Sequence, residues 1–377
     1  MKIAGIHIRK VVICFSLFIA FMLYQTATSP YGALVAIATL SLTLVSVYLE
    51  RPTKVVDRTS KYKVNILIFI LVIVFSTILH GYSPISSVYR FVLQALVCSM
   101  LFGVSLSEDE NRYIKYILEI SALVYSLLII KYCLTNGSYR NIHGDIEMFG
   151  TSFDPNYIGI PLVAACILLL DNILKSSKSY LKIMYATAWI TIVFAIIQTS
   201  SRGNAVSFAF GSICILYNYI RSTNVSLKKI LFLTVMVVGL VYAFKFLNYS
   251  FGDNISRMTS FGEGADSGRF ELWKQSIQVF FDNIIWGTGL GGVAASTQDH
   301  CSHNTYLQIL AETGLVGFCL FVPVLVGLLK KAFRYDRVIF SMVLSMYLQI
   351  VFLNALDNRC VWAILGWIIM LPDIKYS

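Results

Sequence analysis

The chain has 377 residues, of which 57% are hydrophobic and only 13% charged, with a mean hydropathy of +0.72. Soluble domains carry about 25% charged residues, so this composition excludes a water-soluble enzyme or binding module. A net charge of +10 raises nucleic acid as a partner, and the placement of the basic residues argues against it.

Along the chain the apolar residues form twelve blocks, centred on residues 11–24, 33–49, 64–79, 89–105, 114–132, 157–170, 182–198, 204–219, 230–247, 308–329, 338–354 and 361–372. At about 15–20 residues such a block crosses a hydrocarbon core of roughly 30 Å. Lipid offers no hydrogen bonds to bare backbone, so each block is predicted to be a helix. The first follows Lys2, Arg9 and Lys10 as a secretion signal would, but no small-residue cleavage site comes after it, and it reads as a retained anchor. The expected fold class is an all-α integral membrane protein with about twelve transmembrane helices, forming one polytopic domain over residues 1–377.

With the N-terminus inside, 21 of the 30 Lys and Arg fall in inner loops, as the positive-inside rule requires. The basic excess therefore orients the chain and faces anionic lipid heads, leaving no role for nucleic acid. Both termini are expected on the cytoplasmic side. The eight cysteines lack a C-x-x-C pair; most sit in apolar helices and read as packing residues.

Two outer connections are long, at residues 134–156 and 248–307. The second is the largest hydrophilic segment. Within it Phe270, Trp273, Ile277, Phe280 and Phe281 recur at helical spacing, predicting an amphipathic helix on the membrane surface that ends at Asp282-Asn283. Gly287-Thr288-Gly289-Leu290-Gly291-Gly292 follows. A glycine-rich run can cradle phosphate, but alone it reads first as a turn.

Nine basic residues remain outside, against the orienting rule, so each is a candidate for a specific role: Arg90, Lys131, Arg140, Arg202, Lys245, Arg257, Arg269, Lys274 and Arg359. Arg202 lies in the short turn Thr199-Ser200-Ser201-Arg202-Gly203-Asn204 between two spans, which fixes it at the membrane boundary. Its planar guanidinium suits phosphate oxygens; the plainer reading is snorkelling to lipid heads. Arg269 opens the amphipathic helix, where an anion is also favoured by the helix N-terminus, or it anchors that helix at the interface. His303 can act as general base or acid near pH 7, or simply cap a helix. Asn304, Gln308 and Glu312, four apart, form one polar stripe that descends from the outer surface. Facing lipid it would be costly, so it is expected to line a cavity. Asp154 and Asn156 sit where the first outer loop enters a helix, and Asp154 with Pro155 reads foremost as an N-cap. Asp357-Asn358-Arg359 reads as a structural turn. Asp299, His300, Cys301 and His303 are adjacent but lack a complementary ligand cluster elsewhere, so no metal or other cofactor is expected.

Ser201-Arg202-Gly203, Gly268-Arg269 with Leu272-Trp273, Gly287-Thr288-Gly289, and His303-Asn304-Thr305-Tyr306-Leu307 with Gly314 and Gly317 occur in an order and spacing that resembles the bacterial O-antigen ligase/polymerase superfamily, across roughly residues 150–330. Asp154-Pro155-Asn156 is similar to an element this family places before a mid-chain helix. The resemblance implies a GT-C-like polytopic bundle with a large periplasmic loop, in the bacterial inner membrane. It implies an inverting, metal-independent glycosyltransferase whose donor is an undecaprenyl-diphosphate-linked glycan and whose active site is periplasmic. Carried over, Arg202 and Arg269 are similar to the pair that binds the donor diphosphate, and His303 to the residue that activates the acceptor hydroxyl. Asn304, Gln308, Glu312, Asp154 and Asn156 are candidate supporting residues. The acceptor is a second glycan, for a polymerase of O-antigen or capsule repeat units, or lipid A-core, for a ligase. A chain-length regulator is a further candidate partner.

The run from His303 to Leu307 followed by Glu312-Thr313-Gly314-Leu315-Val316-Gly317 resembles polymerases more than ligases. A flippase or transporter of lipid-linked glycan is the alternative class. It predicts charges near the bilayer midplane and repeat symmetry, whereas here the polar residues gather at one face.

Overall fold

Helix is the arrangement that satisfies its own backbone within one segment in lipid, and the computed structural model has a helix in every apolar block that it describes. It describes residues 2–3, 6–22, 30–50, 61–81, 85–136, 146–148, 151–222, 269–297 and 301–373; the ninth block, 230–247, lies outside them. In chain order the helices are α1 (Lys10–Ala20), α2 (Pro30–Glu50), α3 (Lys61–His80), α4 (Ile85–Leu101), α5 (Glu108–Asn136), α6 (Pro155–Lys175), α7 (Ser179–Gln198) and α8 (Arg202–Ser222). Then come α9 (Arg269–Asp282), α10 (Gly292–Ser296), α11 (Thr305–Tyr335), α12 (Arg337–Gln349) with a 3-10 turn at Ile350–Phe352, and α13 (Arg359–Met370). Two short antiparallel pairs accompany them: β1 (Lys2–Ile3) with β2 (Ile6–His7), and β3 (Ile146–Met148) with β4 (Thr151–Phe153). The second pair occupies part of the predicted 134–156 loop, whose first residues belong to α5.

Among the described residues, six helices are long and apolar enough to cross a membrane: α2, α3, α5, α6, α7 and α11. Four shorter apolar helices, α1, α4, α12 and α13, complete the bundle. The protein is thus a helical, polytopic membrane protein. α13 has 12 residues, about 18 Å of helix at 1.5 Å per residue, well short of a bilayer core. Every one of those residues is buried, because α13 packs against α1, α4, α6 and α11. Protein surrounds it where lipid would surround a spanning helix. α6 is the other central element, packed on α5, α7, α8, α12 and α13, and its uniformly apolar sequence from Ile158 to Leu170 is buried all round, as such a helix must be.

The polar contacts sort to two ends of the bundle. At one end Arg9 Nη2 meets Glu110 Oε2 at 2.6 Å, and the bidentate partner strengthens the Arg9 guanidinium's hold on its proton, against the opposing pull of burial. At the same end Trp367 Nε1 donates to Asn111 Oδ1 at 2.8 Å, the Asn111 amide donates to Tyr335 Oη at 3.0 Å, and the buried Lys331 Nζ donates to the Ile369 carbonyl at 2.8 Å. Lys115 pairs with Asp336 at 3.6 Å, and Lys175 with Asp171 at 2.9 Å. All of these basic residues belong to the inner loops of the charge pattern. The opposite end collects the starts of α6, α8, α11 and α13 and the ends of α3, α7 and α12. Among the described residues, α6 to α8 and α11 to α13 therefore alternate in direction.

α9 forms as predicted and ends at Asp282. Ser276 and Val279 are buried while Phe270, Ile277 and Phe281 are exposed, as are Ile284, Ile285 and Trp286 just beyond it. An outward apolar stripe of this kind suits a helix lying in a membrane interface. All eight cysteines are free thiols.

Candidate functional site

The second half of the chain builds its polar end around the start of α11. Asn304 is the N-cap: its Oδ1 accepts from the Tyr306 and Leu307 amides at 3.0 and 3.2 Å, satisfying two of the orphan donors of the first turn. His303, just before the cap, has φ 47°. That left-handed conformation is uncommon for a residue with a side chain and costs about 1–2 kcal/mol. The cost is met by the surrounding bonds. Ser302 Oγ lies 2.9 Å from the Asn304 carbonyl and 3.0 Å from Asn354 Oδ1. Thr305 Oγ1 donates to the Leu353 carbonyl at 2.8 Å and accepts from the Ala355 amide at 2.9 Å. Tyr157 Oη donates to the Asn354 carbonyl at 2.7 Å, bringing α6 into the same frame. The His303 ring nitrogens stand 3.8 and 3.7 Å from Cys301 Sγ.

Among the described residues only Ser200, at φ 49°, shares this conformation without being glycine, and it lies two residues before Arg202. Arg202 itself opens α8 and is half-buried. Asn204 fastens this start. Its amide nitrogen donates to the Pro155 carbonyl at 3.1 Å and to Thr199 Oγ1 at 3.2 Å, while its Oδ1 accepts from Gln349 Nε2 at 2.7 Å. Gly159 on α6 leaves room for it, since a Cβ there would lie 2.1 Å from the Asn204 side chain. Gln349 leads through the 3-10 turn to Leu353 and Asn354. One hydrogen-bonded framework therefore carries both the Arg202 turn and the His303 turn. Asn204, Gln349, Asn354 and Tyr157 are the members that sequence reasoning passed over. A buried amide or hydroxyl in an apolar helix, as with Asn204 and Gln349, was the signal available for them.

Asp154 and Asn156 adopt the capping arrangement. Asp154 Oδ1 accepts from the Asn156 amide at 2.7 Å and from its side chain at 3.0 Å, with Pro155 at the first position of α6.

The stripe Asn304, Gln308 and Glu312 is buried, which fits an inward face, and its polar atoms bridge backbone. Gln308 Nε2 donates to Glu312 Oε2 at 3.0 Å, Gln308 Oε1 accepts from the Leu356 amide at 3.4 Å, and Glu312 Oε1 accepts from the Gly291 amide at 3.0 Å. The stripe ties the 287–292 turn to the 353–357 turn.

That glycine-rich turn has a partner the sequence did not reveal. α11 breaks at Gly314, with φ 64° and ψ −169°. In an unbroken helix the Leu315 and Val316 amides would bond the Ala311 and Glu312 carbonyls. Here those amides donate instead to the Ile284 and Ile285 carbonyls at 2.8 and 3.3 Å, and the freed carbonyls accept from the Thr288 and Gly289 amides at 3.0 and 2.8 Å. The exchange leaves none of these four groups unpaired, as an interruption at membrane depth requires. Ser76 Oγ and Thr77 Oγ1 of α3 hold the same turn from the other side.

α9 packs on α10 and α11 through Val279, Val293 and Ala311, with Phe280 beside them. Arg269 at its first turn is thereby tied to the helix that His303 precedes. Two further charged groups stand at this end. Burial raises the Asp357 carboxyl, against the opposing fields of Arg90 and Arg359, and Arg359 is buried with Nη1 3.4 Å from the Gly32 carbonyl. Asn358 caps α13 through the Cys360 amide at 2.9 Å, the structural role expected of that turn. Burial likewise raises the Cys301 thiol, with backbone hydrogen bonds opposing it. Asp299 and His300 lie outside the described residues. The arrangement offers a titratable ring before α11 and a guanidinium group at the start of each of α8 and α9.

None of the curated proteins compared with the chain matches it. A family model described as O-antigen ligase matches residues 186–322, from within α7 to within α11 and so across Arg202, Arg269 and His303. Over that segment the chain is similar to the O-antigen ligase family.

Proposed function

We propose that the protein polymerises undecaprenyl-diphosphate-linked oligosaccharide repeat units, of O-antigen or capsule, by inverting glycosyl transfer at the outer face of the inner membrane. The observation that carries this reading is the common framework of the Arg202 and His303 turns, with a left-handed residue in each. Strained backbone concentrates where a surrounding structure holds reacting groups in place. In the proposed step an acceptor hydroxyl attacks the anomeric carbon of the donor sugar and the bond from that carbon to the phosphate oxygen breaks. His303 takes the hydroxyl proton, and Arg202 and Arg269 stabilise the negative charge that develops on the departing lipid diphosphate. Attack opposite the leaving group inverts the anomeric centre. Neither arginine needs a metal to do this. The charge pattern reads as twelve spans with both termini cytoplasmic, and that topology supports a periplasmic site.

Transfer of the lipid-linked glycan to lipid A-core is the second reading, favoured by the family description itself. The surface glycans of a deletion strain separate the two. Core carrying a single repeat unit is the result expected here. Bare core, with long chains retained on the lipid carrier, would establish the ligase instead, and lipid-linked repeats trapped on the inner leaflet would remove both in favour of a flippase.

A further inference from the structure

At the end of the bundle opposite the candidate site, a cleft of about 760 Å³ opens between the last turns of α6 and α8 and the junction of α11 with α12. Its size falls in the range of small-molecule sites, roughly 300–1,000 Å³. The charges around it are unequal in their commitments. Asp171 is paired with Lys175 at 2.9 Å, and Asp336 with Lys115 at 3.6 Å while its Oδ1 caps α12 through the Val338 amide at 2.8 Å. Both acids are therefore already neutralised. Arg221 and Arg337, both exposed and both lining the cleft, have no carboxylate within salt-bridge distance among the described residues. The Arg337 guanidinium carbon stands over the Phe333 ring, 3.5 Å from its centroid, a cation–π contact that leaves the hydrogen-bond fork available. Asn218 and Ser341 add a polar wall, bonded to each other at 3.4 Å.

The cleft does not stand alone. Tyr217 lines it and continues along α8 into Ile213, Phe210 and Val206, each exposed. Their spacing puts them on one face of the helix, running from the cleft toward the catalytic end. A cationic pocket at the bundle's end, leading into an apolar strip along a helix, matches a phosphate group attached to acyl chains. Basic pockets between transmembrane helices take anionic lipid heads in this way.

We infer that the cleft bounded by Arg221 and Arg337 is a binding site for the phosphate-bearing headgroup of an anionic lipid, whose chains lie along the Val206–Tyr217 face of α8. The site is separate from the transfer reaction and does not depend on it. Full-length protein purified in detergent, titrated with phosphatidylglycerol or phosphatidylcholine and read by native mass spectrometry, tests this. Wild type should bind phosphatidylglycerol at least about tenfold more tightly than phosphatidylcholine, at roughly 1 kcal/mol per arginine. Arg221→Ala with Arg337→Ala should weaken phosphatidylglycerol by about thirtyfold, and Arg221→Ala alone, at an exposed last turn, by about fivefold on the same scale. Replacing both by lysine should restore most of the loss. Equal affinity for the two lipids overturns the proposal, as does wild-type affinity in the alanine variants. Complete displacement of the lipid by millimolar inorganic phosphate overturns the lipid assignment, since chains on α8 would then contribute nothing.

Discussion

Replacing Arg202 and Arg269 together by alanine should reduce glycan transfer by at least 10³-fold at matched protein amounts. Each guanidinium, in the proposed step, faces the diphosphate, whose negative charge increases as the glycosidic bond breaks, and removing one preorganised donor of that kind typically costs about 10²–10³ in kcat. The two act on one leaving group, so their effects need not add. Lysine at either position keeps the charge and loses the planar fork that fits two phosphate oxygens, so each Arg→Lys variant should fall between wild type and alanine. Stability should change little. Arg202 is half-buried on the first turn of α8, and the buried amide that fastens this turn belongs to Asn204. Initial rates with a lipid-diphosphate-linked donor, alongside thermal unfolding of the same preparations, separate the two effects. Full activity in the double variant would remove the diphosphate clamp from the reading.

Gly314→Ala should be the most damaging single substitution for folding. At φ 64° and ψ −169° the backbone occupies a region essentially reserved for glycine. An added Cβ would also sit 2.3 Å from the Ile285 carbonyl oxygen, a backbone atom that cannot move without breaking the exchange between the two segments. Strain and overlap together should cost about 3 kcal/mol or more. Gly81 supplies the comparison, with φ 67° and nothing within 4 Å of an added Cβ. Alanine there should cost only about 1–2 kcal/mol, the left-handed penalty by itself. Thermal unfolding of both variants in detergent checks the difference. Equal losses would mean that the α11 break is not held by its packing against Ile285.

What the sequence revealed and what it hid divide along physical lines. Hydropathy found the helices because burial in lipid or protein selects apolar residues over whole turns. Charge found the two ends because basic residues at one end and functional polar residues at the other are separately selected; Lys115, Lys175 and Arg337 cluster at one end, and the Asn304, Asn354 and Asn204 network at the other. The amphipathic pattern from Phe270 to Phe281 located α9 but not its inner contacts, Val279 against Val293 and Ala311. The break at Gly314 was invisible to hydropathy, since Leu315 and Val316 continue the apolar run while their amides leave the helix. So was the purpose of Gly287 and Gly289, which permit close approach to α11 and to α3. Asn204 and Gln349 bond across 145 residues of sequence, a pairing no local pattern announces. The polar stripe was legible as inward-facing, but its bridging of two backbone turns required their positions.

The central claim is that His303 is the base that activates the acceptor, and purified His303→Ala with a defined lipid-diphosphate donor and acceptor tests it most directly. Donor binding by the variant should stay within about twofold of wild type, because the diphosphate contacts are assigned to the arginines. The rate of transfer in a single turnover should fall by about 10²–10⁴, the usual contribution of a positioned general base. A well-folded His303→Ala protein that transfers glycan at the wild-type rate would contradict the account.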